Sequence, residues 1–300
     1  MSPRAKLRAL LKRPGMVTLP GAYDCITARL IERAGFEAAY MTGAGTAATC
    51  GYPDYGLATM SEIVLNARRI VDAISIPLIS DADTGYGNEL NVIRTVRDFE
   101  RAGVAGIHIE DQVFPKKCGH LDNKELIPLE DYTVKIRAAA DAKSDPDFLI
   151  IARTDARAVA GFEEAVRRGN AALEAGADMV FLEAPQTMEE VLSVPKLIKG
   201  PCLLNVVRGG KTPDVDLDEM QRAGYKMAIV PGLLLFGVIG VCEDLLDQLK
   251  RDKRHPALPK PLTVREAFSR FGADEWDPLR ERYARGAAAA NEKVPLQRRA

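Results

Sequence analysis

The sequence predicts an α/β fold, a closed (β/α)8 barrel of the TIM type, carrying a C-terminal helical extension. Three observations carry this expectation: eight short apolar runs of β type, helical patterns between them, and Ala-Gly pairs where several of those helices stop. Parallel strands need crossover connections and are buried on both faces, so they read as near-continuous apolar runs.

The chain opens on the basic stretch MSPRAKLRALLKRPGM. It lacks the apolar segment and cleavage site of a secretory signal, so a surface helix is expected, with a transit peptide as the alternative. The strand-like runs then fall at 16–19, 38–42, 77–80, 106–110, 149–153, 179–183, 202–206 and 227–230. Stretches with apolar residues at i, i+3 and i+4 lie between them at 26–34, 62–74, 90–102, 162–175, 188–198 and 217–223. The pairs Ala34-Gly35, Ala102-Gly103, Ala175-Gly176 and Ala223-Gly224 fit left-handed helix stops. An open doubly wound sheet is the alternative; the count of eight and the absence of GxGxxG after the first run weigh against it.

Two connections, 43–60 and 113–130, are longer than a tight barrel needs, and long loops after strands carry function. Residues 1–250 are expected to form the catalytic barrel. Residues 251–300 read as a Pro-rich linker, a helix from Val264 and a mixed tail with alanines at 287–290, belonging to the same domain and suited to packing on a neighbouring subunit.

At 300 residues, 47% apolar and 28% charged, the chain has the composition of a globular enzyme, which excludes disorder over most of its length. A formal net charge of −1 leaves no electrostatic footprint for nucleic acid, and an anionic substrate would need a local basic pocket. Cys25, Cys50, Cys118, Cys202 and Cys242 are scattered and lack CxxC spacing, implying neither a disulfide framework nor a thiolate zinc site. A reducing, cytoplasmic location fits best, with organellar targeting left open. The apolar run 228–242 is broken by Pro231, Gly232, Gly237 and Gly240 and falls short of the ~20 residues of a membrane span, so it is expected to be core.

In a barrel the active site forms where strands end. The second run ends in Tyr40-Met41-Thr42-Gly43, the third in Asp81-Ala82-Asp83, the fourth in His108-Ile109-Glu110-Asp111, the fifth in Arg153-Thr154-Asp155, the sixth in Glu183 and the seventh in Asn205. Asp81, Asp83 and Glu110 are expected to converge as oxygen ligands, with Asp54 available from the long connection 43–60. Carboxylates without histidine suit Mg²⁺, with Mn²⁺ as the alternative. The competing reading is an Asp-x-Asp strand cap within an ion network. Cys118, in the basic loop FPKKCGH, is expected to have its thiol pKa lowered by cations; the competing reading is an inert surface thiol. Arg153 suits bidentate capture of a carboxylate, or else an ion pair with Glu183 or Asp155. His108 reads as a hydrogen-bonded core residue, and His255 carries no signal.

The segments DADTGYGN (81–88), GIHIEDQ (106–112), KKCGH (116–120) and IARTD (151–155) resemble the isocitrate lyase / phosphoenolpyruvate mutase superfamily, with similarity running from LPGAYDC through PGLLLF. The resemblance implies a modified barrel that swaps its last helix between subunits of a homotetramer, a dimer of dimers. It implies that Asp81 and Asp83 hold the metal, that Glu110 and Asp54 help through bound waters, and that Cys118 is the lyases' catalytic cysteine. Arg153 falls on the substrate-carboxylate arginine; the amides of Thr42, Gly43 and Ala44, together with Gly119, His120, Glu183 and Asn205, are expected to bind the substrate. Tyr40 is expected to orient the oxyanion or assist proton removal.

KKCGH disfavours the mutase branch, which has an Asn-containing loop there, and Pro231 stands where oxaloacetate hydrolases carry Ser. Methylisocitrate lyases show a motif like NITEFG after the seventh strand and an Arg five residues after the eighth strand's proline. Here the chain reads NVVRGGKTP and Phe236, so a tricarboxylate lacks one partner unless Arg208 supplies it. GGKTP and FLEAP (181–185) are closer to dimethylmalate lyase. The expectation is therefore a Mg²⁺-dependent lyase cleaving a 2-hydroxy di- or tricarboxylate, of the 2,3-dimethylmalate or 2-methylisocitrate type, to pyruvate and a shorter carboxylate. Oxaloacetate hydrolysis, phosphonate mutation and a non-catalytic carboxylate-binding barrel are the alternatives.

Overall fold

The computed structural model describes residues 1–284. Helix α1 (Pro3–Lys12) precedes β1 (Val17–Ala22), α2 (Cys25–Arg33), β2 (Ala39–Met41), α3 (Gly43–Thr49), α4 (Met60–Ala73), β3 (Leu78–Asp81), α5 (Glu89–Ala102) and β4 (Gly106–Glu110). Next come α6 (Leu129–Ala142), β5 (Leu149–Thr154), α7 (Ala156–Val159), α8 (Phe162–Glu174), β6 (Met179–Leu182), α9 (Met188–Leu197), β7 (Cys202–Asn205), α10 (Leu217–Ala223) and β8 (Met227–Val230). The eight parallel strands close in sequence order, β8 returning to β1 with Val17 beside Met227 and Leu19 beside Ile229. Each strand thus lies within a residue or two of its predicted run, except that β1 extends to Ala22.

Strand side chains alternate between faces, and that period sorts the core. Leu19, Ile79, Ile151, Phe181, Leu203 and Ile229 form one buried cluster inside the barrel, which Leu7 of α1 joins. The intervening residues, such as Ile107, Ile109 and Ile150, pack outward with Ile70, Val96, Phe99 and Ile136 of the helices. Each such fully buried side chain contributes about 1.5–3 kcal/mol. Continuing the inward set toward the strand ends gives Asp81, His108, Glu110, Arg153, Glu183 and Asn205, all buried. One period therefore builds both core and site.

The predicted stops hold: Gly35, Gly103, Gly176 and Gly224 all take positive φ. Helix α4 opens on a capping box, Thr59 with Glu62, which typically stabilises a helix start by about 1 kcal/mol. The connection 43–60 is not all loop, because Thr42 caps α3 and accepts from the Gly45 amide. GAGTAAT has only small residues and no apolar stripe, so helical periodicity did not mark it. Helix α6 is a further helix not singled out from the sequence.

The chain divides into two compact units, Met1–Phe236 and Gly237–Ala300. Helix α11 (Leu233–Asp252) begins in the first and continues in the second, followed by α12 (Val264–Ser269) and α13 (Ala273–Ala284). Within the second unit Arg265 ties α12 to α13 through Asp274 and Asp277, at 2.7 and 3.1 Å. The run 228–242 is core only at its start. Ala228 and Ile229 are buried, but no residue of α11 is, and Leu233, Phe236, Val238, Ile239 and Val241 are exposed. Apolar character alone does not distinguish a core segment from a helix face left uncovered within its own chain. The alanines at 287–290 lie outside the described residues. No helix among the described residues is long and apolar enough to cross a membrane.

Candidate active site

At the C-terminal ends of the strands a cavity of about 100 Å³ is lined by Tyr40, Thr42, Ala44, Asp54, Asp81, Cys118, Gly119, His120, Arg153, Glu183 and Asn205. Val207, Pro231, Gly232, Leu235 and Phe236 complete it. The structure therefore brings most of the predicted site residues to one place. Gly43 stands behind them, since a Cβ there would press on the Asp81 carboxylate. Thr42 spends its amide on the Ala22 carbonyl, at 3.0 Å. The amides of Gly43 and Ala44 lie in the first turn of α3, where no intrahelical acceptor exists.

Tyr40 and His108 share a hydrogen bond of 2.8 Å, and the two rings stack. Burial, then the Asp81 charge, pushes the Tyr40 hydroxyl well above its ordinary pKa, so it stays protonated. Burial pulls His108 down to about 4, so the imidazole is neutral at pH 7. The expectation that His108 is a core residue holds, but it also positions Tyr40.

Arg153 projects from β5 over the Phe181 ring, 5.0 Å from its centroid. Its Nε donates to Asp155 Oδ2 at 3.0 Å and its Nη2 to Asp155 Oδ1 at 3.2 Å. Glu110 lies at 3.3 Å and Glu183 at 4.0 Å. Both sequence readings of Arg153 are compatible, because these contacts engage Nε and Nη2 and leave Nη1 for a ligand. Glu183 accepts from Asn205 Nδ2 at 3.2 Å. His120 Nδ1 accepts the Lys211 amide at 3.0 Å, which leaves Nε2 to donate, 3.1 Å from Glu183 Oε1.

The segment 113–124 lies over the cavity as a lid. Its Lys116 reaches Asp54 Oδ1 at 2.5 Å and Asp83 Oδ1 at 2.8 Å, while Lys117 donates to the Asn123 carbonyl. Neither ammonium is spent on the thiol. Burial first, and then Asp54, raises the Cys118 thiol instead of lowering it. The sequence expectation of a lowered pKa is thus corrected: Lys116 turns to carboxylates and Lys117 to a backbone carbonyl, and the buried thiol remains protonated at neutral pH. A Cβ on Gly119 would press on Arg153 Nη2 and Glu183 Oε1, so only glycine lets the lid backbone lie this close.

Of the predicted metal carboxylates, Asp81 and Asp54 line the cavity, while Asp83 and Glu110 are buried and do not. The Asp83 amide donates to Asp81 Oδ1 at 2.9 Å, and the Glu110 amide donates to the Asp83 carbonyl at 2.9 Å. Burial is the largest influence on the carboxyl groups of Asp81, Asp83 and Glu110. It raises Asp83 and Glu110, whereas His108, Lys116 and Arg153 outweigh it at Asp81 and hold that group low. Among the described residues no three such side chains close around one point as a ready-made cage. Mg²⁺ does not need one, because it commonly binds one or two carboxylates and keeps several waters. Glu110 Oε1 and Oε2, Tyr86 Oη and Thr84 Oγ1 are buried without hydrogen-bond partners. Orphaned acceptors in an all-oxygen set fit a hydrated hard cation.

Sequence reasoning missed Lys124, which is buried and paired with Asp155 at 2.7 Å. A lysine between Asn123 and Glu125 carries no signal of burial. It also missed Asp111, which accepts from Thr154 at 2.7 Å, the Asp155 amide at 2.8 Å and Arg168 at 3.1 Å, and so fixes the end of β5. Arg208 does not line the cavity. Its side chain is 92% exposed and pairs with Asp214 at 3.9 Å, in an adjoining recess of about 610 Å³ that shares Val207, Gly232 and Phe236 with the cavity.

Comparison with known proteins agrees with this geometry. The family model of phosphoenolpyruvate phosphomutase matches residues 7–250. A 2,3-dimethylmalate lyase of Eubacterium barkeri is 44% identical over 95% of this chain and 100% of its own. A 2-methylisocitrate lyase of Aeropyrum pernix is 42% identical over 92% of this chain and 89% of its own. A crystal structure of 2,3-dimethylmalate lyase, described as a PEP mutase/isocitrate lyase superfamily member, superposes with a TM-score of 0.88 at 39% identity, covering 99% of both chains. With the family model spanning most of its length and the strand-end carboxylates, arginine and lid cysteine in one cavity, the chain belongs to the phosphoenolpyruvate mutase/isocitrate lyase superfamily.

Proposed function

We propose that this chain is a Mg²⁺-dependent carbon–carbon lyase that cleaves a 2-hydroxy dicarboxylate of the 2,3-dimethylmalate type to pyruvate and a shorter carboxylate. The observation that carries the reading is that Cys118 lines the same small cavity as Arg153 and Asp81. Similarity to 2,3-dimethylmalate lyase over nearly the whole chain supports it. The apolar Pro231 and Phe236 in the cavity wall, with Arg208 pointing elsewhere, favour a dicarboxylate over a tricarboxylate.

Asp81 and Asp83 would hold the cation, with Glu110 and Asp54 acting on its waters. Bound there, Mg²⁺ supplies Lewis-acid polarisation of the substrate's 2-oxygen and adjacent carboxylate; Mn²⁺ would do the same. Arg153 Nη1 and the amides of Gly43 and Ala44 bind that carboxylate. The Tyr40 hydroxyl, held by His108, donates to oxygen atoms that gain charge as the C2–C3 bond breaks. As the 2-hydroxyl gives up its proton to solvent and C2=O forms, the C2–C3 bonding pair passes to the leaving fragment, and the Cys118 thiol returns a proton to its carbon. Gly119 and His120, packed on Arg153 and Glu183, exclude water while this happens.

The reading extends to a homotetramer, a dimer of dimers with exchanged C-terminal helices, supported by the absence of buried residues in α11; light scattering tests it. A cytoplasmic location is supported by five free thiols. The test of function is pyruvate release with Mg²⁺ from 2,3-dimethylmalate, lost in the presence of EDTA and restored by excess Mg²⁺. A second reading, 2-methylisocitrate cleavage, is favoured by the Aeropyrum relative and is tested beside it.

A further inference from the structure

We infer that Lys124 is a positioning residue that couples closure of the 113–124 lid to the orientation of Arg153. The inference deepens the lyase reading and takes its reaction from that reading, but the contacts that carry it do not depend on which substrate is cleaved.

The Lys124 ammonium is almost fully enclosed, its side chain 1% exposed. It donates to the Gly119 carbonyl of the lid and, at 2.7 Å, to Asp155 Oδ1 at the end of β5. The same Oδ1 accepts Arg153 Nη2 at 3.2 Å, while Oδ2 accepts Arg153 Nε at 3.0 Å. One carboxylate therefore holds the arginine and, through Lys124, the lid. Asp155 cannot readily drift, since its amide is bound to Asp111, which Arg168 anchors in turn. A buried ammonium is costly unless fully paired, and an apolar side chain of similar length would fill the space more cheaply. Retaining the charge here makes sense as a tie between two moving parts.

The geometry gives that tie a chemical effect. Gly119 rests on Arg153 and Glu183 with no room for a Cβ, so a lifted lid and a reoriented Arg153 accompany one another. Cys118 adjoins Gly119 and moves with it. With the lid closed, the 2-hydroxyl releases its proton to solvent as C2=O forms, cleavage of C2–C3 leaves the electron pair on the departing carboxylate's α-carbon, and the thiol proton forms the new C–H bond, leaving a thiolate that solvent reprotonates. With the lid lifted, water supplies the proton and leaves hydroxide, and either face of the carbanion is protonated.

Hydrogen exchange of the full-length Lys124→Met and Lys124→Arg variants decides the tie without substrate. The expected result is at least tenfold faster exchange over 113–124 in Lys124→Met, unchanged barrel strands, and near wild-type exchange in Lys124→Arg. Oxalate binding with Mg²⁺, by calorimetry, should weaken at least tenfold in Lys124→Met and be rescued in Lys124→Arg. Turnover of 2,3-dimethylmalate in D2O should give propionate deuterated on one face with wild type and on both faces with Lys124→Met. Unchanged lid exchange, equal loosening of barrel and lid, failure of the arginine rescue, or single-face deuteration by Lys124→Met would each overturn the inference. Absence of wild-type turnover would overturn the lyase reading instead, with exchange and oxalate affinity still deciding the role of Lys124.

Discussion

Arg153 Nε stands 3.3 Å from Glu110 Oε2, yet neither oxygen of Glu110 accepts a hydrogen bond. The arginine spends its donors on Asp155, and Glu110 is left as a buried carboxyl without a hydrogen-bond partner. A polar group left in that state costs roughly 1–3 kcal/mol. It persists where something outside the chain satisfies it.

Glu110→Gln should therefore have opposite effects on stability and on cation binding. The metal-free protein should melt higher, by about 2–4 °C for each kcal/mol recovered. Mg²⁺ affinity should fall by about tenfold or more, in line with the loss of an outer partner at a metal site. Calorimetry on metal-free protein, with and without added Mg²⁺, measures both. An unchanged affinity would remove Glu110 from the cation site.

Cys118→Ser should lower kcat by about 10²–10⁴-fold, the range for loss of a positioned proton donor, because a serine hydroxyl is a far weaker acid. Melting temperature and Mg²⁺ affinity should stay near wild type, since serine is close to cysteine in size and the thiol is not among the groups assigned to hold the cation. Steady-state kinetics with calorimetry checks this. Full activity would end the acid role of Cys118.

Gly119→Ala should lower kcat/KM by about 10²-fold, the cost of an ångström-scale misplacement of catalytic groups. The new methyl meets Arg153 and Glu183 and holds the lid off. The barrel beneath has no reason to loosen, so the kinetic defect should appear without a comparable loss of melting temperature.

Glu183 gives a pH prediction. Burial would raise its carboxyl pKa, but Arg153, followed by His120, outweighs burial and holds it well below the ordinary range. Below about pH 4.3, the ordinary glutamate value, the unfolded chain takes up a proton that the folded chain resists. The stability Glu183 contributes is thus complete above that pH and is lost as pH falls through the folded-state value. Glu183→Gln should flatten the acid limb of a plot of Tm against pH below about 5, at the cost of a lower plateau at pH 7. Parallel curves for the two proteins would contradict the assignment.

The barrel was legible because fully buried parallel strands leave unbroken apolar runs, and Gly at helix stops marks where each unit ends. The site was legible for the same reason: inward residues recur every second position, so Asp81, Arg153, Glu183 and Asn205 continue the core pattern into polar ends. What stayed hidden depends on where side chains turn. Lys116 and Lys117 sit beside Cys118 in sequence but face carboxylates and a lid carbonyl, so that burial, followed by Asp54, sets the direction of the thiol's shift. Lys124 looks like a solvated charge in sequence and is among the most enclosed cations described. Helix α11 carries the apolar content of a core segment, yet none of its residues is fully buried and only its first turn packs on the core, through Leu234.

The most direct test of the account is pyruvate release with Mg²⁺ from 2,3-dimethylmalate and 2-methylisocitrate, measured side by side with a coupled dehydrogenase. The account predicts a higher kcat/KM for dimethylmalate, because Phe236 lines the cavity and Arg208 lies outside it. Preference for methylisocitrate would contradict the dicarboxylate reading, and no pyruvate from either would contradict the lyase reading itself.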